Sequence, residues 1–275
     1  MTSSSPAALF EASGVRKDFG GVVAVDVDRI DIARGTLVSL IGPNGAGKTT
    51  FFDVVTGFQA AKSGTVRFDG EAISGWEPYK IARRGLVRTF QLTRVLARMT
   101  VIDNMRLAAD DQPGERLYGQ LIPGAVRRQE QEITDRADEL LERFSLTHVR
   151  DEYAGRLSGG QKKLLELARA LMVRPQMMLL DEPMAGVNPA LGEALLHYVE
   201  ELRDEGMTFL LVEHDMDVVM RISERVIVMA AGRVIADGTP QEVRGDQRVV
   251  DAYLGEHAAE QIAAAEAHAQ EDHRE

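Results

Sequence analysis

One glycine-rich stretch constrains the fold of this chain more than any other feature of its sequence. The apolar run Leu37–Ile41 leads into Gly42-Pro43-Asn44-Gly45-Ala46-Gly47-Lys48-Thr49-Thr50, and the mainly apolar segment 51–55 follows. Small residues at this spacing leave backbone N–H groups free to surround a phosphate, while Lys48 adds positive charge and Thr49 a hydroxyl suited to Mg²⁺. The pattern predicts a strand, a phosphate-binding loop and a helix whose N-terminus favours the same anion. A tight turn without a ligand is the alternative, but such a turn would not require a lysine directly before two threonines.

Composition excludes several classes of protein. The chain has 275 residues, enough to bury a large core, and we expect one domain with lobes. Its formal net charge of −11 argues against broad nucleic-acid binding, which usually requires a basic surface. Since cysteine is absent, disulfides, thiolate metal sites and cysteine nucleophiles are excluded. The sequence shows neither a secretory signal nor an apolar run of the roughly 18 residues of a membrane span, so we expect a cytoplasmic location.

Turn residues divide the N-terminal region into short predicted strands. Gly20-Gly21 and Arg34-Gly35 separate apolar segments, and the alternation in 63–70 fits a half-buried strand. Phe19 lies directly before the first turn, where its ring either stacks on a nucleotide base or packs in the core or against the turn. At the two ends of the chain we expect a flexible leader at 1–8 and an acidic, alanine-rich tail at 256–275, either a solvated helix or disordered.

The segment after these strands carries positive charge in an acidic chain. Five arginines occur between Ile81 and Met99 with no acidic residue: Arg83, Arg84, Arg88, Arg94 and Arg98. They form either a solvated surface or a docking site for a partner. From Ala125 to Leu146, apolar residues recur at helical spacing among charges, which predicts a long amphipathic helix in a helical lobe inserted between strands.

A second glycine pair precedes another helical run. The motif Leu157-Ser158-Gly159-Gly160-Gln161 leads directly into 162–171, a run of helix-forming residues. Ser158 is suited to cap the helix, and two glycines at its start leave backbone donors free to meet a phosphate. This stretch is therefore either a second phosphate-binding element or an ordinary capped helix.

Acidic residues and a histidine follow two apolar runs. Asp181 and Glu182 end the run 177–180, and His214 comes shortly after the run 208–212. Continuous apolar runs are typical of buried parallel strands, and ligands bind at the C-terminal edge of such sheets. There Asp181 could hold Mg²⁺ directly or through water, Glu182 could orient and deprotonate a water, and His214 could donate a hydrogen bond to a terminal phosphate. The alternative is that the two acids are only the solvated end of a strand.

The order of these motifs over residues 9–255 resembles that of the ATP-binding cassette ATPases: phosphate loop, Gln91, the signature 157–161, the acidic pair and His214. The resemblance implies an α/β fold with a P-loop NTPase (RecA-like) core, an N-terminal antiparallel β subdomain and an α-helical subdomain inserted at about 92–165. It also implies ATP and Mg²⁺ as cofactors. Gln91 matches the glutamine that contacts metal and water in the family. Phe19 matches the adenine-stacking position, where tyrosine is commoner.

The same resemblance implies an assembly. Two chains, identical or different, would form a head-to-tail dimer in which the signature of one chain meets the ATP held by Lys48 and its loop in the other. The signature residues in this contact would be Ser158, Gly159, Gly160 and Gln161. The dimer would bind transmembrane permease subunits and, through them, a solute-binding protein, at the inner face of the cell membrane. No nucleic-acid partner is expected.

Within the family, four segments are similar to the ATPases of branched-chain amino acid uptake systems: Arg88-Thr89-Phe90-Gln91, 99–104, 185–189 and 252–256. The resemblance therefore implies the ATP-hydrolysing subunit of an importer for these amino acids or related small solutes. Two residues depart from the usual patterns. Gly159 is closer to the general family form than to this branch, and Asn188 stands where most cassettes have aspartate. Lipopolysaccharide-export ATPases share Tyr253-Leu254-Gly255 and are the alternative.

Two other classes of ATPase combine a phosphate loop with a signature of this kind. Chromosome-maintenance and DNA-repair ATPases need a long coiled coil between their two halves, yet no sustained heptads lie between Lys48 and Asp181. Translation-associated cassette proteins carry two cassettes in one chain, whereas each motif occurs once here. Both classes are therefore disfavoured.

Overall fold

The computed structural model describes residues 8–89, 95–109 and 123–254 and, for residues 123–126, the backbone alone. The chain divides into two compact units, called unit 1 (Met1–Gly75 with Leu210–Glu275) and unit 2 (Trp76–Phe209). The first strand begins at Ala8, the last residue of the predicted leader. The boundaries expected for the leader, the helical subdomain and the tail stay predictions.

The helices and strands follow one another in the order expected for an α/β chain. Unit 1 begins with β1 (Ala8–Phe19), β2 (Val22–Ala33), β3 (Leu37–Ile41), α1 (Lys48–Val55), β4 (Ser63–Phe68) and β5 (Glu71–Ala72). Unit 2 comprises α2 (Pro78–Arg84), β6 (Leu86–Arg88), α3 (Val101–Leu107), α4 (Pro123–Arg143), α5 (Gly159–Leu171), β7 (Met177–Asp181) and α6 (Pro189–Asp204). After β8 (Thr208–Val212), at which the units divide, come α7 (Met216–Ile222), β9 (Arg225–Ala230), β10 (Arg233–Gly238) and α8 (Pro240–Arg244).

An antiparallel sheet with the strand order β2-β1-β4-β5 forms one part of unit 1. Phe10 pairs with Ile32 on one side and Phe68 on the other, and all three side chains are fully buried. The short strands predicted here are wrong in length, because β1 and β2 each run for 12 residues. Gly14 lies inside β1 with φ 60° at a register shift against β4, so this glycine makes a bulge and not a turn. The expected antiparallel β subdomain is confirmed.

The second part of unit 1 is built around the buried strand β3. All five of its residues are buried, as the continuous apolar run predicts. It pairs in parallel with β9, with Ile41 beside Val228, and β10 folds back antiparallel to β9. The hairpin turns at Ala231-Gly232, the predicted position, where both residues have positive φ. These pairings fix the end of β3, from which the phosphate loop leaves.

In unit 2, two parallel strands position the acidic pair. Strand β6 pairs with β7, with Leu86 beside Met177 and Arg88 beside Leu179. Gly85, which has φ 105° at the end of α2, accepts hydrogen bonds through its carbonyl from the backbone N–H groups of Gln176 and Met177. All five residues of β7 are buried, which confirms the strand predicted from its apolar run.

The helices of unit 2 follow the sequence pattern. Helix α4 confirms the amphipathic helix expected from Ala125 to Leu146, and Ala137, Leu140 and Leu141 on its apolar face are buried. Buried Asn104 of α3 donates through Nδ2 to the carbonyls of Leu96 and Thr100, at 3.1 and 2.9 Å, and accepts from the N–H of Leu96 at 2.8 Å. Across the described ranges of both units, no helix has the length and apolar composition needed to cross a membrane.

Candidate active site

Two glycines of the phosphate loop lie where no side chain fits. Gly42 has φ 147°, and a Cβ atom there would lie 2.0 Å from the carbonyl oxygen of Met229 in β9. Gly47 has φ 98°, and a Cβ atom there would lie 2.2 Å from the carbonyl oxygen of Ala24 in β2. Both positions combine left-handed backbone with direct contact against another strand. The loop therefore needs glycine for packing inside unit 1 as well as for access to a phosphate.

Backbone hydrogen bonds complete the loop. Within it, the N–H of Ala46 donates to the carbonyl of Pro43 at 3.1 Å. The β9–β10 turn then connects the loop to β2: the N–H of Gly232 donates to the carbonyl of Ala46 at 3.0 Å, and the N–H of Asp26 donates to the carbonyl of Gly232 at 2.7 Å. The β9–β10 turn and, through it, β2 thus support the shape of the loop.

Lys48 and the start of α1 provide the positive end of this element. The ammonium of Lys48 donates to the carbonyls of Gly42 and Pro43 at 2.6 and 2.9 Å, so its side chain folds back over the loop. Gly47 is the N-cap of α1 in left-handed conformation, and no side chain caps the helix by a hydrogen bond. The first N–H groups of an uncapped helix attract an anion, and the helix dipole adds to that attraction.

Phe19 lies on the hairpin that packs against the loop. It is the last residue of β1 and pairs with Val22 at the beginning of β2, the strand that also carries Ala24. Its ring is 48% exposed, with the ammonium of Lys17 4.9 Å from the ring centroid. Packing in the core is therefore wrong for Phe19, whereas packing against the turn and stacking on a nucleotide base both stay predictions.

His214 follows β8 in unit 1. Its side chain is 70% exposed, whereas that of the neighbouring Glu213 is fully buried. The backbone N–H of His214 donates to Glu213 Oε2 at 3.3 Å, and Nδ1 of its ring lies 3.8 Å from the same oxygen. Asp215 then caps α7 by accepting from the N–H groups of Asp217 and Val218. The histidine ring is thus presented at the surface between a buried carboxylate and a capped helix.

The acidic pair of unit 2 has two different environments. Asp181 ends β7, and its Oδ2 accepts a hydrogen bond from Arg88 Nη2 at 2.8 Å in an ion pair whose side chains are 5% and 6% exposed. Glu182 has φ 47°, a conformation that is strained for a residue with a side chain and that is concentrated at functional sites. The expectation that all five arginines form a surface or a docking site is therefore wrong for Arg88.

The signature motif lies at the exposed N-terminus of α5 in unit 2. Ser158 caps α5 by accepting from the N–H of Gln161 at 3.2 Å, and the Gln161 side chain accepts from the N–H of Ser158 at 3.0 Å. The predicted N-cap is confirmed and belongs to a full capping box. A Cβ atom at Gly159 would meet nothing within 4 Å, whereas one at Gly160 would lie 2.4 Å from a Leu191 side-chain carbon.

The structure brings the predicted residues into two groups. Unit 1 contains Phe19, the loop 42–50 and His214, and unit 2 contains the signature, Asp181 and Glu182. Gln91 and Arg94 lie outside the described residues. The burial of Arg88 and its pairing with Asp181 were not predicted, although the apolar neighbours Leu86 and Val87 were a signal that this arginine is buried and requires an acidic partner.

The available ligands agree with magnesium bound together with a nucleotide. Within the described part of the chain, no three His, Asp or Glu side chains cluster as a metal site. Thr49 in unit 1 and Asp181 in unit 2 each carry a side-chain oxygen group of the kind that Mg²⁺ binds. Mg²⁺ commonly binds one or two protein oxygens and completes its shell with phosphate oxygens and water. The residues present therefore fit Mg²⁺ carried by a phosphate ligand.

Two family models match the chain. The model described as ABC transporter matches residues 25–185, and the model described as branched-chain amino acid ATP-binding cassette transporter matches residues 233–259. The first match covers more than half of the chain and includes the phosphate loop, the signature and the acidic pair.

Named relatives are similar over nearly the whole chain. Identity is 43% over 250 residues with the high-affinity branched-chain amino acid transport ATP-binding protein BraF of Pseudomonas aeruginosa, covering 90% of this chain and 98% of the relative. It is 41% over 250 residues with the corresponding protein LivG of Escherichia coli, with the same coverage. It is 40% over 247 residues with a probable LivG of Archaeoglobus fulgidus, covering 90% and 95%.

Solved structures of similar sequence have the same fold. A nucleotide-free ATP-binding cassette from an ABC transporter superposes with a TM-score of 0.77 at 38% identity, covering 90% of this chain and 98% of the other. The ADP conformation of an ATP-binding cassette gives a TM-score of 0.76 at 36% identity, covering 90% and 99%. The expected P-loop NTPase fold is confirmed.

The contact between Gly47 and Ala24 gives a first prediction. Gly47→Ala forces a Cβ atom onto a backbone carbonyl, so we expect the free energy of unfolding to fall by about 2 kcal/mol more than in Gly21→Ala. Gly21 is the matched control, because its φ is 94° and a Cβ atom there meets nothing within 4 Å. Urea unfolding measures both variants, and equal losses of stability would show that strand contact does not shape the loop.

Proposed function

The chain belongs to the ABC transporter family, and we propose that it couples ATP hydrolysis to the import of branched-chain amino acids or related small solutes. The observation that carries the proposed substrate class is the similarity of 90% of the chain to proteins named for branched-chain amino acid transport, together with a match at 233–259 to the model of that branch. The lipopolysaccharide-export alternative is not favoured by these relatives.

ATP binding in this proposal uses the geometry of unit 1. The N–H groups of the loop and of the first turn of α1 bind the phosphates, and the ammonium of Lys48 moves from the carbonyls of Gly42 and Pro43 to a phosphate oxygen. Phe19 stacks on the adenine, since its ring is exposed beside the loop. Bound Mg²⁺ would supply charge neutralisation on the phosphates, with Thr49, Asp181 and Gln91 as its protein ligands.

Hydrolysis is then a displacement at the γ-phosphorus. A water oxygen forms a bond to phosphorus while the bond to the leaving ADP oxygen breaks. Glu182 orients this water and accepts its proton, while Lys48 and a hydrogen bond from His214 stabilise the charge on the transferring group. The strained backbone of Glu182 supports this role, because such strain persists where a side chain must be aimed.

The exposed signature supports a shared site. In our proposal, Ser158, Gly159, Gly160 and Gln161 of one chain contact the nucleotide bound by the phosphate loop of a second chain, identical or different. The capping box fixes where α5 begins, and a Cβ atom at Gly159 would meet no other atom within 4 Å. A preformed helix end with free space above it can accept a phosphate without rearrangement.

The partners follow from membership in a transporter family. We expect transmembrane permease subunits to bind this ATPase at the cytoplasmic face of the membrane and a solute-binding protein to deliver the substrate to them. Closure of the two chains around ATP would be the step that drives the permease.

Glu182→Gln tests the catalytic assignment. The amide can hold a water but cannot accept its proton, so we expect the ATPase rate to fall by at least about 100-fold. ATP should then hold two chains together, which sedimentation velocity detects as an ATP-dependent dimer. Glu193→Gln, which alters a carboxylate of α6 in the same unit, is the control and should hydrolyse ATP normally. Normal turnover by Glu182→Gln would refute the assigned role.

Uptake tests the proposed substrate class. Cells that lack this chain should lose uptake of labelled leucine, isoleucine and valine, because the permease then has no ATPase. The unaltered chain should restore uptake and Glu182→Gln should not. If uptake of all three amino acids is unchanged in the deletion, the proposed substrate class is wrong, whatever the ATPase activity of the purified chain.

A further inference from the structure

We propose that Arg88 is a positioning residue that balances the charge of Asp181 and holds its carboxylate in place while no metal ion is bound. The inference rests on the proposed function, in which Asp181 is a ligand of Mg²⁺, and it concerns unit 2 alone. Arg88 begins the family-like segment Arg88-Thr89-Phe90-Gln91, in which a chemical role was expected for Gln91 and not for Arg88.

The pairing of two strands places these residues together. Arg88 is the last residue of β6 and lies beside Leu179 in the parallel register with β7. The N–H of Thr89 donates to the carbonyl of Leu179 at 2.9 Å, so the pairing continues past the end of β6. Asp181 lies two residues further along β7, and Arg88 Nη2 reaches its Oδ2 at 2.8 Å. The contact is thus fixed by backbone register.

Burial makes this ion pair different from the surface pairs of the chain. The side chains of Arg88 and Asp181 are 6% and 5% exposed, whereas both partners are more than one-quarter exposed in most other pairs, such as Arg225 with Asp237. Surface pairs contribute little because water screens them, but removing one partner of a buried pair leaves a desolvated charge without compensation. Asp181 therefore depends on a nearby cation.

In this proposal the carboxylate of Asp181 also contacts a second cation, the metal ion. The hydrogen bond from Arg88 uses Oδ2, and Oδ1 is the other oxygen of the same carboxylate. A metal ion or its bound water at Oδ1 would share the negative charge that Arg88 balances in the chain without metal. Two cations near one carboxylate repel each other, so Arg88 must weaken metal binding at the same time as it holds the ligand in place.

Removal of the positive charge of Arg88 should strengthen the binding of Mg²⁺ at Asp181. Without the positive charge of Arg88, the carboxylate of Asp181 has no counter-ion in the metal-free state. In the metal-bound state, the metal ion still balances its charge. The contribution of Mg²⁺ to ATP affinity should therefore increase. An ion pair with a purely structural role would change stability but leave this contribution as it was, because it would affect both states equally.

The experiment compares the Kd of ATP in EDTA with the Kd in Mg²⁺, measured by equilibrium dialysis, and takes their ratio. Arg88→Gln keeps a hydrogen-bond donor but removes the positive charge. Its ratio of the Kd in EDTA to the Kd in Mg²⁺ should be about five times that of the unaltered chain. Arg88→Lys keeps the charge and should have the unaltered ratio. An unchanged or smaller ratio in Arg88→Gln would overturn the proposal.

Two controls separate this inference from the function on which it rests. Arg143→Gln breaks a two-bond ion pair with Glu205 in the same unit and should leave the ratio unchanged. Asp181→Asn should reduce the effect of Mg²⁺ strongly. If Asp181→Asn keeps the full effect of Mg²⁺, the metal-ligand role of Asp181 in the proposed function is wrong, independently of any result with Arg88.

A double variant covers the case in which Arg88→Gln does not fold. If the arginine serves only to balance Asp181, the combination Arg88→Gln with Asp181→Asn removes both charges and should fold. Thermal unfolding in EDTA shows this directly. A double variant that also fails to fold would mean that Arg88 is needed for another reason, and would overturn the proposal.

Discussion

The fold of unit 1 depends on close contact between the backbone of the phosphate loop and the backbones of the strands β2 and β9. Gly42 lies against the carbonyl of Met229 and Gly47 against that of Ala24, with no space for a side chain at either glycine. Since β2 belongs to one sheet and β3 pairs with β9 in another, and β9 lies far from both along the chain, these strands must pack together before the loop has its shape. The loop is therefore a product of tertiary packing, and its ready-made anion site is a consequence of that packing.

In unit 2, the main constraint is the burial of a negative charge at the end of a strand. A buried carboxylate at the end of β7 is stable because Arg88 accompanies it from the adjacent strand. The next residue, Glu182, has a strained backbone. Neither feature is needed to end a strand, and both are expected where a side chain must be held ready for a charged ligand.

The sequence predicted those features of the fold that depend on local pattern. The buried strands β3 and β7, the Ser158 cap and the turn at Ala231-Gly232 follow from apolar runs, capping preferences and turn residues, and the structure has all of them. The length of β1 was not predictable in this way, because Gly14 makes a turn or a bulge depending on its neighbouring strand. Local pattern left several alternatives for Phe19, and its exposure excludes the core.

The candidate site was predicted residue by residue, but the partners of its residues were not. Arg88 belongs to a run of arginines that, by its sequence, was expected on the protein surface. Its partner, Asp181, becomes evident only from the register of β6 with β7. In the same way, the contacts of Gly42 and Gly47 require knowledge of which strands are neighbours. Sequence pattern identifies chemistry and local structure, whereas contacts between distant segments appear only in the folded chain.

The central claim is that each chain supplies half of two nucleotide sites, and a mixture of two inactive variants tests it most directly. Lys48→Ala removes the loop's charge, while Gly159→Glu puts a negative charge at an open helix N-terminus, where the helix tolerates it but a phosphate would not. Each variant alone should be inactive. Mixed dimers hold one site with Lys48 from one chain and Gly159 from the other, so the mixture should hydrolyse ATP faster than the sum of the two variants. A rate equal to that sum would contradict the account.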